Sequence, residues 1–355
     1  MNISIDPSIQ KVPFYPKAAL YGADPSWTLL SSNENPCAPS PKVIESIVNA
    51  VLDINRYPES EGELKALVAD KYGIAPQNVA IGNGSNELIE SSLRAMRYPG
   101  RNKVVIAEPS FAFYPIAAQI YGFEAVSVRF DSLTVNLQEV MKALDDRTRV
   151  VFLCNPNNPT GTAFDEKSFV AFLKALPSEI LVIVDEAYAE FSDKKRFPKS
   201  LKYINDFPLF ILRTFSKAYG LAGLRIGYGM GEEKLVSYIE RTKQPFSVNM
   251  LALLAAKAAL SDQEHLTRVL DNNQKGRAYM YDSLGALGLE FIETEANFIL
   301  VRIGAAAEAV TKKLFEKKIL IRWLGGYGLS DCVRITIGTM NENRRCIEAL
   351  KKVIR

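Results

Sequence analysis

A single histidine, His265, stands in a chain of 355 residues. Hydrolysis by a Ser-His-Asp relay would have to run through that one residue. It lies in the polar helical stretch 263–268, where the pattern predicts a surface position. Acid–base chemistry therefore falls to Lys, Tyr, Asp or Glu. Cysteine is scarce as well. Cys37, Cys154, Cys332 and Cys346 lie far apart with no Cys-x-x-Cys pair, which argues against a disulfide framework or a zinc site, and no metal is expected. Charge of one sign is also missing: the formal net charge is +3, and no run of Lys and Arg marks one helical face, so nucleic acid is not an expected partner. The closing 351–355 stretch, with Lys351 and Lys352, reads as a solvated helix end. The longest apolar runs, such as 180–184, are far too short to span a bilayer, so no membrane partner is expected. Residues 1–6 carry neither the basic start nor the apolar stretch of a secretory signal, which points to the cytoplasm.

What is present is ordinary in composition and ordered in pattern. Hydrophobic residues make up 48% and charged residues 23%, as in a soluble globular enzyme, and the length exceeds one typical core. No segment is of low complexity and no fixed-period repeat occurs. Between residues 40 and 243, helical periodicity (41–53, 62–72, 86–96, 113–121) alternates with short β-branched runs (79–82, 103–107, 124–128, 149–154, 180–184, 209–212). Uninterrupted apolar runs mean burial on both faces. A mostly parallel sheet between helices follows, an α/β fold whose ligands sit at the carboxyl ends of the strands. After Pro245 the pattern changes to helices at 249–260 and 264–284, strands at 296–302 and 332–337 around a helix at 305–317, and a last helix at 341–354. The expected division is an N-terminal segment (1–35) packing on the small domain, a large α/β domain (36–245) and a small α+β domain (246–355).

Polar groups stand where the buried runs end. Lys217 closes Leu209-Phe-Ile-Leu-Arg-Thr-Phe-Ser-Lys217, with Thr214 and Ser216 beside it and Arg225 eight residues on. Such a lysine can form a Schiff base while the hydroxyls and guanidinium hold a phosphate, the two requirements of pyridoxal phosphate (PLP). The bland reading is a solvated loop. Asp185 ends the 180–184 run; a carboxylate there needs a cationic partner such as a pyridinium nitrogen, or it caps the next helix. Tyr188 stands three residues on, within reach of the cofactor's ring oxygen. Val79-Ala-Ile-Gly-Asn-Gly-Ser85-Asn86 reads as strand, glycine turn and helix start, with Ser85 as cap and free amides for a phosphate. Neither this loop nor 227–231 has the dinucleotide G-x-G-x-x-G spacing. Asn158, held extended before Pro159, aims at the same crevice or simply makes a turn. Arg334 interrupts an apolar strand; facing inward it would fork onto a carboxylate, facing outward it is a surface charge, and Arg322 shares that ambiguity.

These motifs together resemble the PLP-dependent aminotransferases of fold type I, and within them the histidinol-phosphate aminotransferase family. The likeness runs from about residue 15 to residue 338 and rests on Ser31-Ser-Asn-Glu-Asn-Pro36, Arg56-Tyr-Pro-Glu59, Gly84-Ser-Asn-Glu87, Pro109-Ser-Phe111, Asn157-Asn-Pro-Thr-Gly161, Asp185-Glu-Ala-Tyr188, Thr214-Phe-Ser-Lys217 and Val333-Arg-Ile-Thr-Ile-Gly338. The resemblance implies a large domain built on a seven-stranded sheet, and Lys217 as Schiff-base lysine and proton shuttle. It implies Asp185 on the pyridine nitrogen, Tyr188 and Asn158 on the ring oxygen, and Phe111 stacked on the ring. Ser85, Asn86, Thr214, Ser216 and Arg225 would hold the phosphate, joined by Tyr57 from the neighbouring subunit of a homodimer. Arg334 would take the substrate carboxylate, and Tyr15, Asn33 and Arg322 the rest of the substrate. The implied reaction is ping-pong transamination between histidinol phosphate and 2-oxoglutarate, or in the other direction with glutamate as donor. Alternatives are a decarboxylase of a phosphorylated amino acid, similar to threonine-phosphate decarboxylase, an aromatic or broad-specificity aminotransferase, and a non-catalytic PLP-binding regulator, for which no spare DNA-binding segment exists. The chain departs from the family at Pro245-Phe-Ser-Val248, commonly Pro-Tyr-Asn-Val, and at Asn86 and Phe111, commonly Asp and Tyr.

Overall fold

The computed structural model describes residues 3–16, 26–130 and 133–354. In chain order the strands are β1 Thr28–Leu29, β2 Val79–Gly82, β3 Lys103–Glu108, β4 Glu124–Arg129, β5 Thr148–Cys154, β6 Leu181–Asp185, β7 Leu209–Thr214, β8 Gly227–Gly231, β9 Glu290–Phe291, β10 Phe298–Arg302, β11 Ile319–Leu320, β12 Arg322–Trp323 and β13 Cys332–Thr336. Seven of them form the central sheet in the order β2-β8-β7-β6-β5-β3-β4. The run from β4 to β7 is parallel throughout. The mostly parallel seven-stranded α/β sheet expected from the sequence is therefore present.

Both faces of that sheet are dry, and the alternation of side chains shows how. Val151 and Leu153 of β5 join Val182 and Val184 of β6 in one apolar cluster. Val150, Phe152, Leu181 and Ile183 feed the cluster on the opposite face. Helices Gly62–Tyr72, Glu166–Ala175 and Met250–Ser261 cover the first face; Gly84–Ala95, Phe113–Ile120 and Glu233–Glu240 cover the second. Each buried Val, Leu or Phe contributes about 1.5–3 kcal/mol, so the strand ends that carry polar groups are held by a packed core.

β8 was not expected as a strand, and it runs antiparallel to both β7 and β2. Its sequence, Gly-Tyr-Gly-Met-Gly, has poor intrinsic strand preference. Close approach explains the glycines. A Cβ at Gly227 would lie 2.6 Å from the Ser85 amide nitrogen, and one at Gly229 would lie 2.2 Å from the Phe210 ring.

A second sheet, β12-β13-β10-β9, is antiparallel and packs with helices Gln263–Ala286, Ala307–Glu316 and Met340–Val353. The N-terminal segment divides between the two layers. β1 pairs with β11, and Leu30 enters the second layer's core, whereas the short helix Pro7–Gln10 lies on helix Phe113–Ile120, where Gln119 Nε2 donates to the Ser8 carbonyl at 3.1 Å. His265 corrects a sequence expectation: it is buried, not on the surface. Asp262, which accepts its amide at 3.1 Å, is itself held by Ser40 Oγ, so the first turn of this helix is tied to the start of helix Pro41–Ala50. Among the described residues no helix is long and apolar enough to cross a membrane, and no three His, Cys, Asp or Glu side chains group as metal ligands.

Candidate active site

The carboxyl ends of β5, β6 and β7 open into one cavity of about 410 Å³. Asn158, Asp185 and Lys217 all line it, as the order of their strands predicts. Every other site residue expected from the sequence, Tyr57 excepted, lines the same cavity.

Asp185 is the last residue of β6 and is buried. Its Oδ1 accepts the Ala187 amide at 3.1 Å, so it serves the following turn, and its Oδ2 accepts the Tyr114 hydroxyl at 2.8 Å. The carboxyl is pushed up by burial, while these two hydrogen bonds and the positive charge of Lys217 pull it back. Lys217 leaves β7 after Ser216 and sends Nζ to the Ser32 carbonyl at 3.0 Å. Burial, and after it the nearby Arg334 charge, bring its amine down to about 8; Glu34 works in the opposite direction. The bland reading of Lys217 as a solvated loop residue is therefore excluded. Tyr188 is buried, lies 5.8 Å from Lys217 Nζ by ring centroid, and accepts Asn33 Nδ2 at 2.9 Å on its hydroxyl.

The rim opposite the carboxylate is rich in donors. Helix Gly84–Ala95 begins without a side-chain cap, which leaves first-turn amides free. Its N-cap is Asn83, so the expected capping role of Ser85 is corrected: Gly84 turns the chain at φ 71° and Ser85 falls inside the first turn, facing the cavity with Asn86. Thr214 and Ser216 are buried, and Thr214 Oγ1 accepts the Ser216 amide at 3.0 Å. Arg225 brings its guanidinium to the same rim, donating to the Ala222 carbonyl at 3.1 Å, with Ser216 Oγ 3.5 Å away. Its φ of 58° is a left-handed conformation that a side-chain-bearing residue adopts only at a cost, as does Asn33 at 54°.

Arg334 faces inward and is 4% exposed, which decides the alternative left open by strand alternation. It reaches the Asn158 side-chain oxygen and donates to the Ser31 carbonyl at 2.7 Å, while its Nε has no partner. Arg322 and Tyr15 stand on the same side, Arg322 donating to the Pro16 carbonyl at 3.1 Å and Tyr15 meeting Phe111 edge-on at 6.2 Å. Tyr57 is the exception. It is 79% exposed, stacked on Phe246 at 4.5 Å, and does not line this chain's cavity. Sequence reasoning missed Tyr114, Cys154, Ser32 and Tyr327. Tyr114 sat within an expected helix, where nothing distinguishes a core tyrosine from one whose hydroxyl has a purpose.

A buried amine that titrates near 8, a carboxylate at depth, an uncapped helix start and an arginine with a spare donor form a set suited to an aldehyde-bearing aromatic phosphate. Comparison with known proteins agrees. The profile of the family described as aminotransferase class I and II matches residues 25–350. The chain belongs to that family. Over 358 aligned residues, this aminotransferase is 40% identical to histidinol-phosphate aminotransferase 2 of Pseudomonas aeruginosa, covering 98% of this chain and 97% of that one. Among solved structures it is similar to histidinol-phosphate aminotransferase from Sinorhizobium meliloti in complex with pyridoxal 5'-phosphate, with a TM-score of 0.90, 29% identity and coverage of 99% and 97%. It is also similar to L-threonine-O-3-phosphate decarboxylase from Porphyromonas gingivalis, with a TM-score of 0.79, 26% identity and coverage of 91% and 98%.

Proposed function

We propose that this aminotransferase is a PLP-dependent histidinol-phosphate transaminase of histidine biosynthesis that exchanges an amino group with 2-oxoglutarate. The observation that carries the reading is Lys217: an amine lowered to about 8, opposite Asp185 in a cavity rimmed by anion donors. The relatives named histidinol-phosphate aminotransferase at about 40% identity support the substrate.

Bound in this cavity, PLP supplies a carbonyl for an amine to capture and a ring that draws off the electron pair left when Cα loses its proton. Asp185 would hold the ring nitrogen protonated. Ser85, Asn86, Thr214, Ser216 and Arg225 would hold the phosphate together with the free first-turn amides, and Phe111 would pack on the ring. Tyr188 and Asn158 serve the ring oxygen. Lys217 Nζ would be the amine that captures the aldehyde, with water leaving, and the base that moves the proton at Cα. Arg334 would donate to the substrate carboxylate, with its spare Nε available, and Arg322, Tyr15 and Asn33 would meet the remainder, including its phosphate. Tyr57, too exposed to serve its own cavity, completes the phosphate site of a partner subunit in a homodimer. The reading carries a cytoplasmic location, in keeping with four cysteines that are all free.

The purified chain with PLP should transfer the amino group of histidinol phosphate to 2-oxoglutarate faster than that of any aromatic amino acid. An aromatic donor outrunning it severalfold would overturn the assignment. Release of CO₂ from a phosphorylated amino acid, without keto-acid formation, would move the chain to the decarboxylase side of the family.

A further inference from the structure

We propose that Tyr114 is a positioning residue for the transfer reaction: its phenol holds the Asp185 carboxylate ionised and in the one orientation that meets the cofactor's ring nitrogen. The proposal rests on the function proposed above.

The geometry leaves Asp185 little freedom. One carboxylate oxygen accepts a backbone amide and the other accepts the Tyr114 hydroxyl at 2.8 Å. The phenol that makes this bond is itself fixed. Tyr114 is fully buried in the first turn of helix Phe113–Ile120, lies flat against Phe152 with ring centroids 4.7 Å apart and 4° between planes, and meets Phe111 edge-on at 5.4 Å and 84°. Phe152 belongs to β5, the strand next to Asp185, and Phe111 lines the cavity. One aromatic ring thus ties the wall of the cavity to the carboxylate at its floor.

The chemistry of the pair sets the direction. Burial pushes the Tyr114 phenol well up, so it remains a donor and never competes for a proton with Asp185. Burial also pushes the Asp185 carboxyl up, and the Tyr114 hydrogen bond is the largest influence opposing that rise. Without the phenol, Asp185 would take a proton at higher pH, become a donor itself, and lose its hold on a protonated ring nitrogen. A hydrogen bond to a charged group corresponds to about one to two pH units in the carboxyl's titration.

Tyr114→Phe removes the hydroxyl and keeps the ring. PLP affinity is measured by equilibrium dialysis across pH, alongside kcat, KM and thermal unfolding. The expected result is a dissociation constant about tenfold weaker at neutral pH, with a deficit that grows as pH falls. The acid limb of kcat should move up by about one to two pH units, with KM changed far less. In an Asp185→Asn background, Tyr114→Phe should have no further effect on affinity. A merely structural role would weaken affinity equally at all pH and lower the unfolding temperature without moving the limb; that pattern, or an unmoved limb, overturns the proposal. If Tyr114→Phe does not fold, 3-fluorotyrosine in place of Tyr114 gives a stronger donor, and the limb should then move down; no movement overturns the proposal. Failure of the unaltered chain to bind PLP at any pH is a separate outcome, which removes the proposed function itself.

Discussion

The cost of placing Lys217 in the cavity has a sign that can be worked out. The folded amine titrates near 8 and an ordinary lysine near 10.5, so between these limits the unfolded chain binds more protons than the folded one. Stability therefore carries a penalty from this residue below pH 8 that is relieved as pH rises through the window. For chemistry the same shift is an advantage. Uptake of PLP by the cofactor-free protein, followed by absorbance, should accelerate up to about pH 8 and then level, rather than climb toward 10.5. Lys217→Ala should lower kcat by at least about a hundredfold to ten-thousandfold, leave some noncovalent cofactor, and abolish borohydride fixation at this position. Arg334 carries a different expectation. Lysine cannot reproduce its fork, so Arg334→Lys should raise KM for 2-oxoglutarate about ten- to hundredfold while kcat moves less. A fall in kcat and kcat/KM by the same factor, with KM unchanged, would place the arginine's effect in the transition state rather than in binding.

At the scale of elements, the site depends on how strand ends are clamped. Glu186 follows Asp185, is buried, and meets half-buried Arg213, the residue before Thr214, at 2.5 Å; Glu190 meets the same guanidinium at 3.2 Å. This ion group locks the end of β6 to the end of β7, and so fixes the spacing between the carboxylate and the lysine. The approach of β8 to helix Gly84–Ala95 is the second clamp. Gly227→Ala should destabilise the fold by about 1–3 kcal/mol in urea titration, because the new Cβ meets backbone that cannot move aside. Gly285, the next-to-last residue of helix Gln263–Ala286 with nothing within 4 Å of an added Cβ, offers the opposite sign: Gly285→Ala should stabilise by up to about 1 kcal/mol. Three of the unexpected helices, Leu137–Lys142, Glu166–Ala175 and Glu233–Glu240, open on the side-chain caps Asn136, Asp165 and Glu232. Those caps were the available sequence signal; the helices are short, and periodicity alone is weak over two or three turns.

For the whole molecule, the apolar surface near helix Pro41–Ala50 bears on assembly. Val48, Leu52, Ile54, Tyr57 and Phe246 are all exposed, Leu52 at 88%. A patch of that kind on a single chain marks an interaction surface, and the proposed homodimer would cover it. Sedimentation should give twice the mass of one chain, and Leu52→Glu should give one. The proposed sharing of the site is testable by mixing. Tyr57→Ala and Lys217→Ala chains, each impaired alone, should recover up to about a quarter of normal turnover when refolded together at equal amounts, from the one repaired site in each hybrid. No recovery would mean that Tyr57 serves no neighbouring cavity.

The placement of Asn158, Asp185 and Lys217 was legible in the sequence because each follows an uninterrupted apolar run that reads as a buried strand, and parallel strands deliver their ends to one edge; what each side chain meets there was left open. The inward face of Arg334, the burial of His265 and the approach of glycine-rich β8 were not legible, because each depends on which distant segment packs against it. Tyr114 marks the boundary most clearly. Residue type and helical period assign it to the core, and only the register of β6 beside β5, with helix Phe113–Ile120 laid over both, brings its hydroxyl to Asp185. Local pattern decides what a residue buries; the meeting of two polar atoms 71 positions apart in the chain is decided by tertiary packing alone.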